Sequence, residues 1–255
     1  MSVLSLKELS CGYGKKVIVK GIELEADAGE MICLIGQNGS GKSTVLKTIA
    51  SMIPPISGSI LIDGKNRSDI SRNEAARIMS VLFTERVNYD RMTCFEAVSA
   101  GRYPYTGRLG ILSDDDKRIV NDAMKLTKTQ ELKDHDIRFI SDGQRQLVLL
   151  ARAIAQQPRI MILDEPSSFL DINNKLRLLG ILKKLTATKN MTVIMSLHEL
   201  ELAKQFADRL ICIKNGAPDK TGSPDEIFSD GYIKELFDID DEYTYGISDI
   251  RQVIE

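Results

Sequence analysis

One glycine-rich loop constrains the fold of this chain more than any other stretch of its sequence. Residues 36–44 read Gly-Gln-Asn-Gly-Ser-Gly-Lys-Ser-Thr, which fits the G-x-x-x-x-G-K-[ST] template for phosphate binding. The apolar run at residues 31–35 is typical of a buried strand, and residues 44–50 can continue as a helix. A strand, a glycine loop and a helix in this order predict a phosphate site at the start of the helix.

The residue types in this loop indicate how it would hold a nucleoside triphosphate. Glycines let the backbone curl so that several N–H groups point at one anion, and the helix N-terminus adds positive potential. Lys42 would reach the β- and γ-phosphates, and the Ser43 hydroxyl would bind Mg²⁺. The residues that we expect to contact the nucleotide are Gly36, Asn38, Gly39, Ser40, Gly41, Lys42, Ser43 and Thr44.

The composition is that of a globular protein, and it narrows the classes of partner. The 255 residues carry a net charge of −2, which gives no general electrostatic attraction to nucleic acid. The four cysteines are widely scattered and form no C-x-x-C pair, so we expect a reducing cytosol. The first residues do not resemble a secretory signal, and no window approaches about 18 uninterrupted apolar residues. Any membrane role is therefore expected to depend on a partner.

Short apolar runs and turn residues divide the chain into strands and helices. Strand patterns lie at residues 3–9, 22–25, 31–35, 59–62, 77–82, 160–163, 192–197 and 210–214. Helical spacing covers residues 114–126 and 141–156. We predict an α/β fold: a nucleotide-binding core with a helical insertion at about 86–157 and a polar tail at about 217–255. The chain is expected to form a single domain.

A second motif places two carboxylates at the end of a predicted strand. Residues 160–166 read Ile-Met-Ile-Leu-Asp-Glu-Pro, so the apolar run ends directly at Asp164 and Glu165. Ligands bind at the carboxyl ends of strands in open α/β sheets. Asp164 would hold Mg²⁺, directly or through water, and Glu165 would polarise an attacking water. The alternative is an acidic turn without a catalytic role, which the phosphate loop upstream disfavours.

A third motif opens a helix shortly before these carboxylates. Residues 140–146 read Ile-Ser-Asp-Gly-Gln-Arg-Gln and lead into an apolar helical run. With the phosphate loop and the Asp-Glu strand, this segment resembles the Leu-Ser-Gly-Gly-Gln signature of ABC transporter ATP-binding subunits. The resemblance covers nearly the whole chain and implies the ABC-type form of the P-loop NTPase core, with an antiparallel β subdomain and a helical insertion.

Three further positions match motifs of this family. Residues 167–171 (Ser-Ser-Phe-Leu-Asp) resemble the D-loop, which crosses the dimer interface. His198 follows a predicted strand and matches the switch histidine that contacts the γ-phosphate, a catalytic position. Tyr13 matches the aromatic residue that stacks on adenine.

The resemblance also implies that the ATP site is shared between two copies of the chain. ATP and Mg²⁺ would lie between the phosphate loop of one copy and Ser141, Gly143 and Gln144 of the other. Ser141 and its neighbours present a helix N-terminus, which attracts a phosphate group.

Asp142 departs from the family pattern, because it stands where the first signature glycine usually lies. A carboxylate facing the γ-phosphate would repel it. Ser141 as the N-cap and Gln144 three residues later fit a capping box, which puts Asp142 at the first helical position. The helix dipole favours an acidic side chain there, and we expect that side chain to point away from the nucleotide.

A second departure concerns the glutamine that the family places before the helical insertion. Residues 80–86 read Ser-Val-Leu-Phe-Thr-Glu-Arg, and the spacing puts Thr84 at that position. Thr84 could contact Mg²⁺ or its water, and Glu85 is the alternative ligand if the loop shifts by one residue.

The helical insertion resembles one branch of the family. Its segment around Gly101-Arg102-Tyr103-Pro104-Tyr105 is similar to that of importer ATPases for iron–siderophore, haem and cobalamin uptake. Tyr103, Pro104 and Tyr105 would suit a docking surface for a membrane subunit. The alternative is an ordinary loop packed on its own helices.

This branch implies a role, partners and a location. The chain would be an ATPase that powers metal-chelate import at the cytoplasmic face of the inner membrane. It would bind two polytopic permease subunits and a second copy of itself, and serve an extracytoplasmic binding protein indirectly. No nucleic acid partner is expected. The alternatives are a soluble ABC ATPase acting on nucleic acid, ribosomes or cofactor-assembly machinery, and a weakly hydrolysing regulatory subunit.

Overall fold

The computed structural model describes residues 2–83, 91–107, 110–229 and 231–239. In chain order, the strands are β1 (Ser2–Tyr13), β2 (Lys16–Asp27), β3 (Met31–Ile35), β4 (Ser57–Ile62), β5 (Lys65–Asn66), β6 (Met79–Leu82), β7 (Ile160–Asp164), β8 (Thr192–Ser196), β9 (Arg209–Lys214) and β10 (Ala217–Gly222). The α-helices are α1 (Lys42–Ile49), α2 (Arg72–Ile78), α3 (Cys94–Ser99), α4 (Asp114–Leu126), α5 (Asp142–Ala155), α6 (Ile172–Lys189), α7 (Leu200–Phe206), α8 (Pro224–Ile227) and α9 (Tyr232–Phe237). These elements fall into two compact units: residues up to Arg67 with those from Thr192 onward, and Ser68–Met191.

An antiparallel sheet in the first unit has the order β2-β1-β4-β5. Its central strand β1 pairs with both neighbours, for example through Leu6, which lies opposite Leu24 of β2 and Ile60 of β4. β1 and β2 are longer than the predicted strands at 3–9 and 22–25. The hairpin extends to Tyr13 and Lys16 because apolar side chains along β1, such as Cys11, remain fully buried.

The parallel strands of the first unit position the phosphate loop. β3 lies between β8 and β9, and it pairs in parallel with both. Every residue of β3 and of β8 is buried, as expected for parallel strands covered on both faces. The strands predicted at 31–35, 192–197 and 210–214 are thereby confirmed to within one residue.

The segment after Lys214 contains more regular structure than its polar sequence indicates. β10 pairs antiparallel with β9, and α8 and α9 follow it. The Tyr232 hydroxyl donates to Asp219 over 2.6 Å and so fastens α9 to β10. Beside them, burial raises the pKa of the Cys212 thiol to about 12. β10 alternates only between half-buried and exposed residues, which is why hydrophobic periodicity misses it.

The second unit contains the parallel pair β6 and β7 and the helical insertion. α4 and α5 match the helices predicted at 114–126 and 141–156. The strand predicted at 77–82 is wrong at its start, because α2 continues to Ile78 and the strand begins at Met79. An ion pair of 2.8 Å between the buried Arg102 and Asp116 holds the insertion together. The observed elements confirm the α/β class with an antiparallel sheet and a helical insertion.

None of the helices in the described part of the chain combines the length and the apolar character that a membrane span requires. The prediction that residues 1–255 form a single domain stays a prediction.

Candidate functional site

The phosphate loop lies between β3 and α1 in the first unit, as the sequence predicts. Two of its glycines are required by close packing. Gly36 has a φ of 149°, and a Cβ atom there would lie 2.3 Å from the carbonyl oxygen of Ile213. Gly41 caps α1 with a φ of 104°, and its Cβ would lie 2.2 Å from Val19. Any side chain at these positions would push the loop out of its curled conformation.

Lys42 is the first residue of α1, and its side chain lies against the loop. The residue is only 5% exposed. Its Nζ donates to the carbonyl oxygen of Gly36 over 2.7 Å and to that of Gln37 over 3.0 Å. The loop therefore holds an ammonium group at a helix N-terminus, which is the environment that binds phosphate. Ser43 and Thr44 follow in the first turn, and Asn38, Gly39 and Ser40 form the loop itself.

His198 lies at the same edge of the parallel strands as the phosphate loop. β3 and β8 are parallel neighbours, with Leu34 opposite Ser196, so their carboxyl ends meet at one edge. The loop follows β3, and the exposed His198 comes two residues after β8. Tyr13 also belongs to the first unit and is the last residue of β1. The residue is 52% exposed, and a residue that stacks on a base must be exposed.

A contact with the C-terminal region supports the phosphate loop from outside. The Nε2 of Gln37 donates to the carboxylate of Asp238 over 2.7 Å, and the Lys214 ammonium lies 3.5 Å from the same carboxylate. Asp238 caps the C-terminus of α9. No local sequence pattern points to this contact, because 201 positions separate the two partners.

The two predicted carboxylates end β7 in the second unit. Asp164 is the last strand residue and is only 6% exposed. Glu165 follows with a φ of 49°, an uncommon conformation for a residue with a side chain. The Ser168 hydroxyl donates to its carboxylate over 3.3 Å. Backbone strain of this kind is frequent at functional sites, where the surrounding structure holds the residue in place.

The signature segment begins α5, and its predicted capping box is confirmed. The Gln144 N–H donates to the Ser141 hydroxyl over 3.2 Å, and the Ser141 N–H donates to the Gln144 side chain over 3.0 Å. Ser141, Gly143 and Gln144 line a groove of about 600 Å³ within the second unit, together with the D-loop residues Phe169 and Asp171.

Asp142 takes the first helical position, as expected from the capping box. Its carboxylate pairs with the guanidinium of Arg145, one turn further along α5. Replacing Asp142 by glycine is expected to keep ATP turnover within about threefold of wild type, because the Asp142 side chain is 58% exposed and an ion pair to such a carboxylate contributes little. Steady-state turnover of both proteins checks this, with Asp115→Gly at the start of α4 as the control. A loss of about 100-fold would instead assign Asp142 a direct catalytic contribution.

The two tyrosines singled out in the insertion differ in their exposure. Tyr103 is 68% exposed. The Tyr105 ring lies 4.0 Å from the guanidinium of Arg102 and 5.3 Å from that of Arg77, and its hydroxyl donates to the carbonyl oxygen of Gln156 over 3.1 Å. Tyr105 therefore supports the insertion from within. Tyr103 is available to a partner, as is Phe139, which is 83% exposed.

Thr84 and its alternative Glu85, which the sequence suggests as ligands of Mg²⁺, lie outside the described residues. Within the described ranges, no three His, Cys, Asp or Glu side chains come together to hold a metal ion. Mg²⁺ usually needs only one or two carboxylates, because phosphate oxygens and waters complete its shell.

Comparison with known proteins assigns the family. The ABC transporter family model matches residues 19–168. The chain is 41% identical to the ABC transporter ATP-binding protein MJ0873 of Methanocaldococcus jannaschii, over 93% of this chain and 82% of that protein. It is 35% identical to the iron(3+)-hydroxamate import ATP-binding protein FhuC of Bacillus subtilis, over 95% and 90% of the two chains. It is 32% identical to the ferric enterobactin transport ATP-binding protein FepC of Escherichia coli, over 91% and 85%.

Solved structures agree with this assignment. The dimeric post-hydrolysis state of the cassette MJ0796, bound to ADP and Pi, superposes with a TM-score of 0.77 at 26% identity and covers 87% of this chain and 98% of that one. The ADP conformation of the cassette MJ1267 has the same fold, with a TM-score of 0.81 at 20% identity and coverage of 94% and 100%. The phosphate loop, the Asp-Glu strand and the signature helix thus lie on a fold shared with ATP-binding cassettes, and this chain belongs to the ABC transporter family as an ATP-hydrolysing subunit.

Proposed function

We propose that this protein hydrolyses ATP to drive the import of a metal chelate through an ABC permease. The observation that carries the proposal is similarity along nearly the whole chain to ATP-binding proteins of iron-chelate uptake, including FhuC and FepC. Achromobactin transport protein CbrD of Dickeya dadantii, at 33% identity, belongs to the same group. An iron–siderophore complex is therefore the favoured cargo, with haem and cobalamin complexes as the other members of the class suggested by the insertion.

In this proposal the first unit binds the nucleotide. Backbone N–H groups of the phosphate loop and the N-terminus of α1 would receive the phosphates, and Lys42 would neutralise their charge. The support is the position of its ammonium, 2.7 Å from the Gly36 carbonyl and buried against the loop. Tyr13 would stack on the adenine, and His198 would contact the γ-phosphate from the edge of the strands.

The second unit would supply the hydrolytic group. Glu165 would accept a hydrogen bond from the attacking water and so increase its nucleophilicity. This role is supported by the position of Glu165 directly after β7, where the Ser168 hydroxyl donates a hydrogen bond that orients its carboxylate. The Ser43 hydroxyl and the Asp164 carboxylate are hard oxygen donors of the kind that Mg²⁺ prefers, with Thr84 or Glu85 proposed as a third. Mg²⁺, when bound, would neutralise charge that develops on the phosphates.

A second copy of the chain would complete the site. Ser141, Gly143 and Gln144 would face the γ-phosphate of an ATP held by the other copy. Two observations support this: these residues form an accessible helix N-terminus, and the related cassette MJ0796 is dimeric with ADP and Pi.

The membrane partner would be a polytopic permease at the cytoplasmic face of the membrane. The exposed Tyr103 is the contact that we propose on this chain, because large aromatic residues are enriched at protein interfaces. An extracytoplasmic binding protein would deliver the chelate to the permease and not to this subunit.

Uptake measurements in a deletion strain test the proposal. Deleting the gene is expected to reduce accumulation of one radiolabelled iron–siderophore, haem or cobalamin by about tenfold or more. Complementation with the wild-type gene should restore uptake, whereas the Tyr103→Ala gene should restore it only partly. The purified Tyr103→Ala subunit should retain wild-type ATP turnover, because Tyr103 contacts the partner and not the nucleotide.

Two results would contradict the proposal. One is unchanged uptake of all three classes of chelate in the deletion strain. The other is co-purification of the tagged protein with ribosomes or nucleic acid in place of an integral membrane protein, which would favour a non-transport ABC ATPase.

A further inference from the structure

One arginine side chain binds three carbonyl oxygens of the segment that precedes the signature helix. The Nε of Arg145 donates to the carbonyl oxygen of Ile137 over 3.2 Å. Its Nη2 donates to the carbonyl oxygen of Ile140 over 3.0 Å and to that of Arg138 over 3.4 Å. A planar guanidinium with donors in fixed directions can hold several carbonyls in one arrangement, which an ammonium cannot do.

The remaining terminal nitrogen of this guanidinium meets the unusual acidic residue of the motif. Nη1 of Arg145 donates to the Asp142 carboxylate, whose side chain is 58% exposed. Surface ion pairs usually contribute little, partly because two long side chains must be ordered. Here Arg145 is already ordered by the carbonyls of the preceding segment, so the pair with Asp142 requires less additional ordering.

The charge of Asp142 matters because of where it lies. It is the first residue of a 14-residue helix whose N-terminus, in the proposed function, receives the γ-phosphate of an ATP bound to a second copy. An uncompensated carboxylate at that position would repel the phosphate. A glycine at position 142 would create no such repulsion and would need no compensating cation.

We propose that Arg145 is a positioning residue of the composite ATP site, which fixes the signature segment and cancels the charge of Asp142. This inference rests on the proposed function of the signature residues. Its consequence is that Arg145 is needed for turnover mainly because Asp142 is present.

A double-mutant cycle tests this dependence. ATP turnover is measured at saturating ATP for wild type, Arg145→Gln, Asp142→Asn and the double variant. With Asp142 present, Arg145→Gln is expected to lower kcat by about tenfold, whereas in the Asp142→Asn background the same change should cost less than about threefold. ATP binding to the phosphate loop of the isolated subunit should not change, so the loss appears in kcat and not in nucleotide affinity.

Two further variants separate charge from structure. Arg145→Lys keeps the positive charge but loses the fork that binds the carbonyls, and it should restore most of the turnover that Arg145→Gln loses. Arg118→Gln is the matched control, because Arg118 pairs with Asp115 across the same spacing at the start of α4, beside another capping box. It is expected to leave turnover unchanged.

Two results would overturn the inference. Equal losses from Arg145→Gln in the two backgrounds would show that Arg145 acts independently of the charge at position 142. An Arg145→Lys variant as impaired as Arg145→Gln would show that carbonyl binding alone matters. Thermal unfolding of each variant identifies any that fails to fold, and the Arg145→Lys comparison then still tests the charge.

Failure of the underlying function would look different. Ser141→Arg places a bulky side chain at the proposed phosphate contact and should abolish turnover. If Ser141→Arg remains active, the composite site itself is wrong. If it is inactive while the cycle shows no coupling, only the role of Arg145 is wrong.

Discussion

Replacing Glu165 by glutamine is expected to lower ATP turnover by about 100-fold or more, the usual contribution of a catalytic base. Glutamine keeps the size of the side chain and can still accept the hydrogen bond from Ser168, but it cannot take a proton from water. ATP should therefore bind normally and remain unhydrolysed. Because bound ATP would hold two copies together, size-exclusion chromatography with ATP should show a dimer that wild type forms only transiently.

The control for this variant is Glu201→Gln, which neutralises an exposed carboxylate at the start of α7. It should turn over ATP at the wild-type rate. Hydrolysis by Glu165→Gln at the normal rate would remove Glu165 from the catalytic role. Loss of nucleotide binding together with hydrolysis would instead indicate that the carboxylate is structural.

Replacing Lys42 by alanine is expected to weaken ATP binding by about 10- to 100-fold, the effect of losing a charge-assisted hydrogen bond to phosphate. Carbonyl oxygens of Gly36 and Gln37 hold the buried ammonium against the loop. The other residues in the first turn of α1 carry no positive charge, so none of them can replace it. Titration with a fluorescent ATP analogue measures the affinity. Turnover should fall in parallel, because the same charge stabilises the transition state.

Two measurements keep this result interpretable. Lys20→Ala removes an exposed lysine of β2 in the same unit and should bind ATP as wild type does. The unfolding temperature without nucleotide shows whether Lys42→Ala folds. Adding ATP should raise the unfolding temperature of wild type but not that of Lys42→Ala, since only bound ligand stabilises the native state. An affinity within about twofold of wild type would contradict the assigned role.

The parts of the fold that follow from local spacing were predictable. β3, the loop after it and α1 were expected because an apolar run, closely spaced glycines and a helical run are adjacent in sequence. The capping box at Ser141 was predictable for the same reason, since its partner is three residues away. The strand expected at 77–82 was wrong at its start, because Ser71 caps α2 and the helix continues through Ile78. Over so short an apolar stretch, strand and helix patterns are hard to separate.

The parts of the site that depend on distant contacts were not predictable. Asp238 contacts Gln37 only because the fold brings the C-terminus of α9 next to the phosphate loop. Tyr105 was expected on a docking surface, but Arg77 and Arg102 enclose its ring within the insertion. The contacts of Arg145 are local, within eight residues of it, but they too required coordinates. Its partners are backbone carbonyls, which every residue carries and no sequence pattern marks.

The sequence by itself determined the chemistry of this protein: a phosphate loop, a pair of carboxylates and a signature helix, each encoded within fewer than about ten consecutive residues. Such motifs can be recognised in a sequence because their residues act through local backbone geometry. Only the tertiary structure decided that Tyr105 packs within the insertion and that Asp238 supports the phosphate loop at Gln37. Those contacts join residues that are far apart in sequence, and the folding of each unit sets their distances.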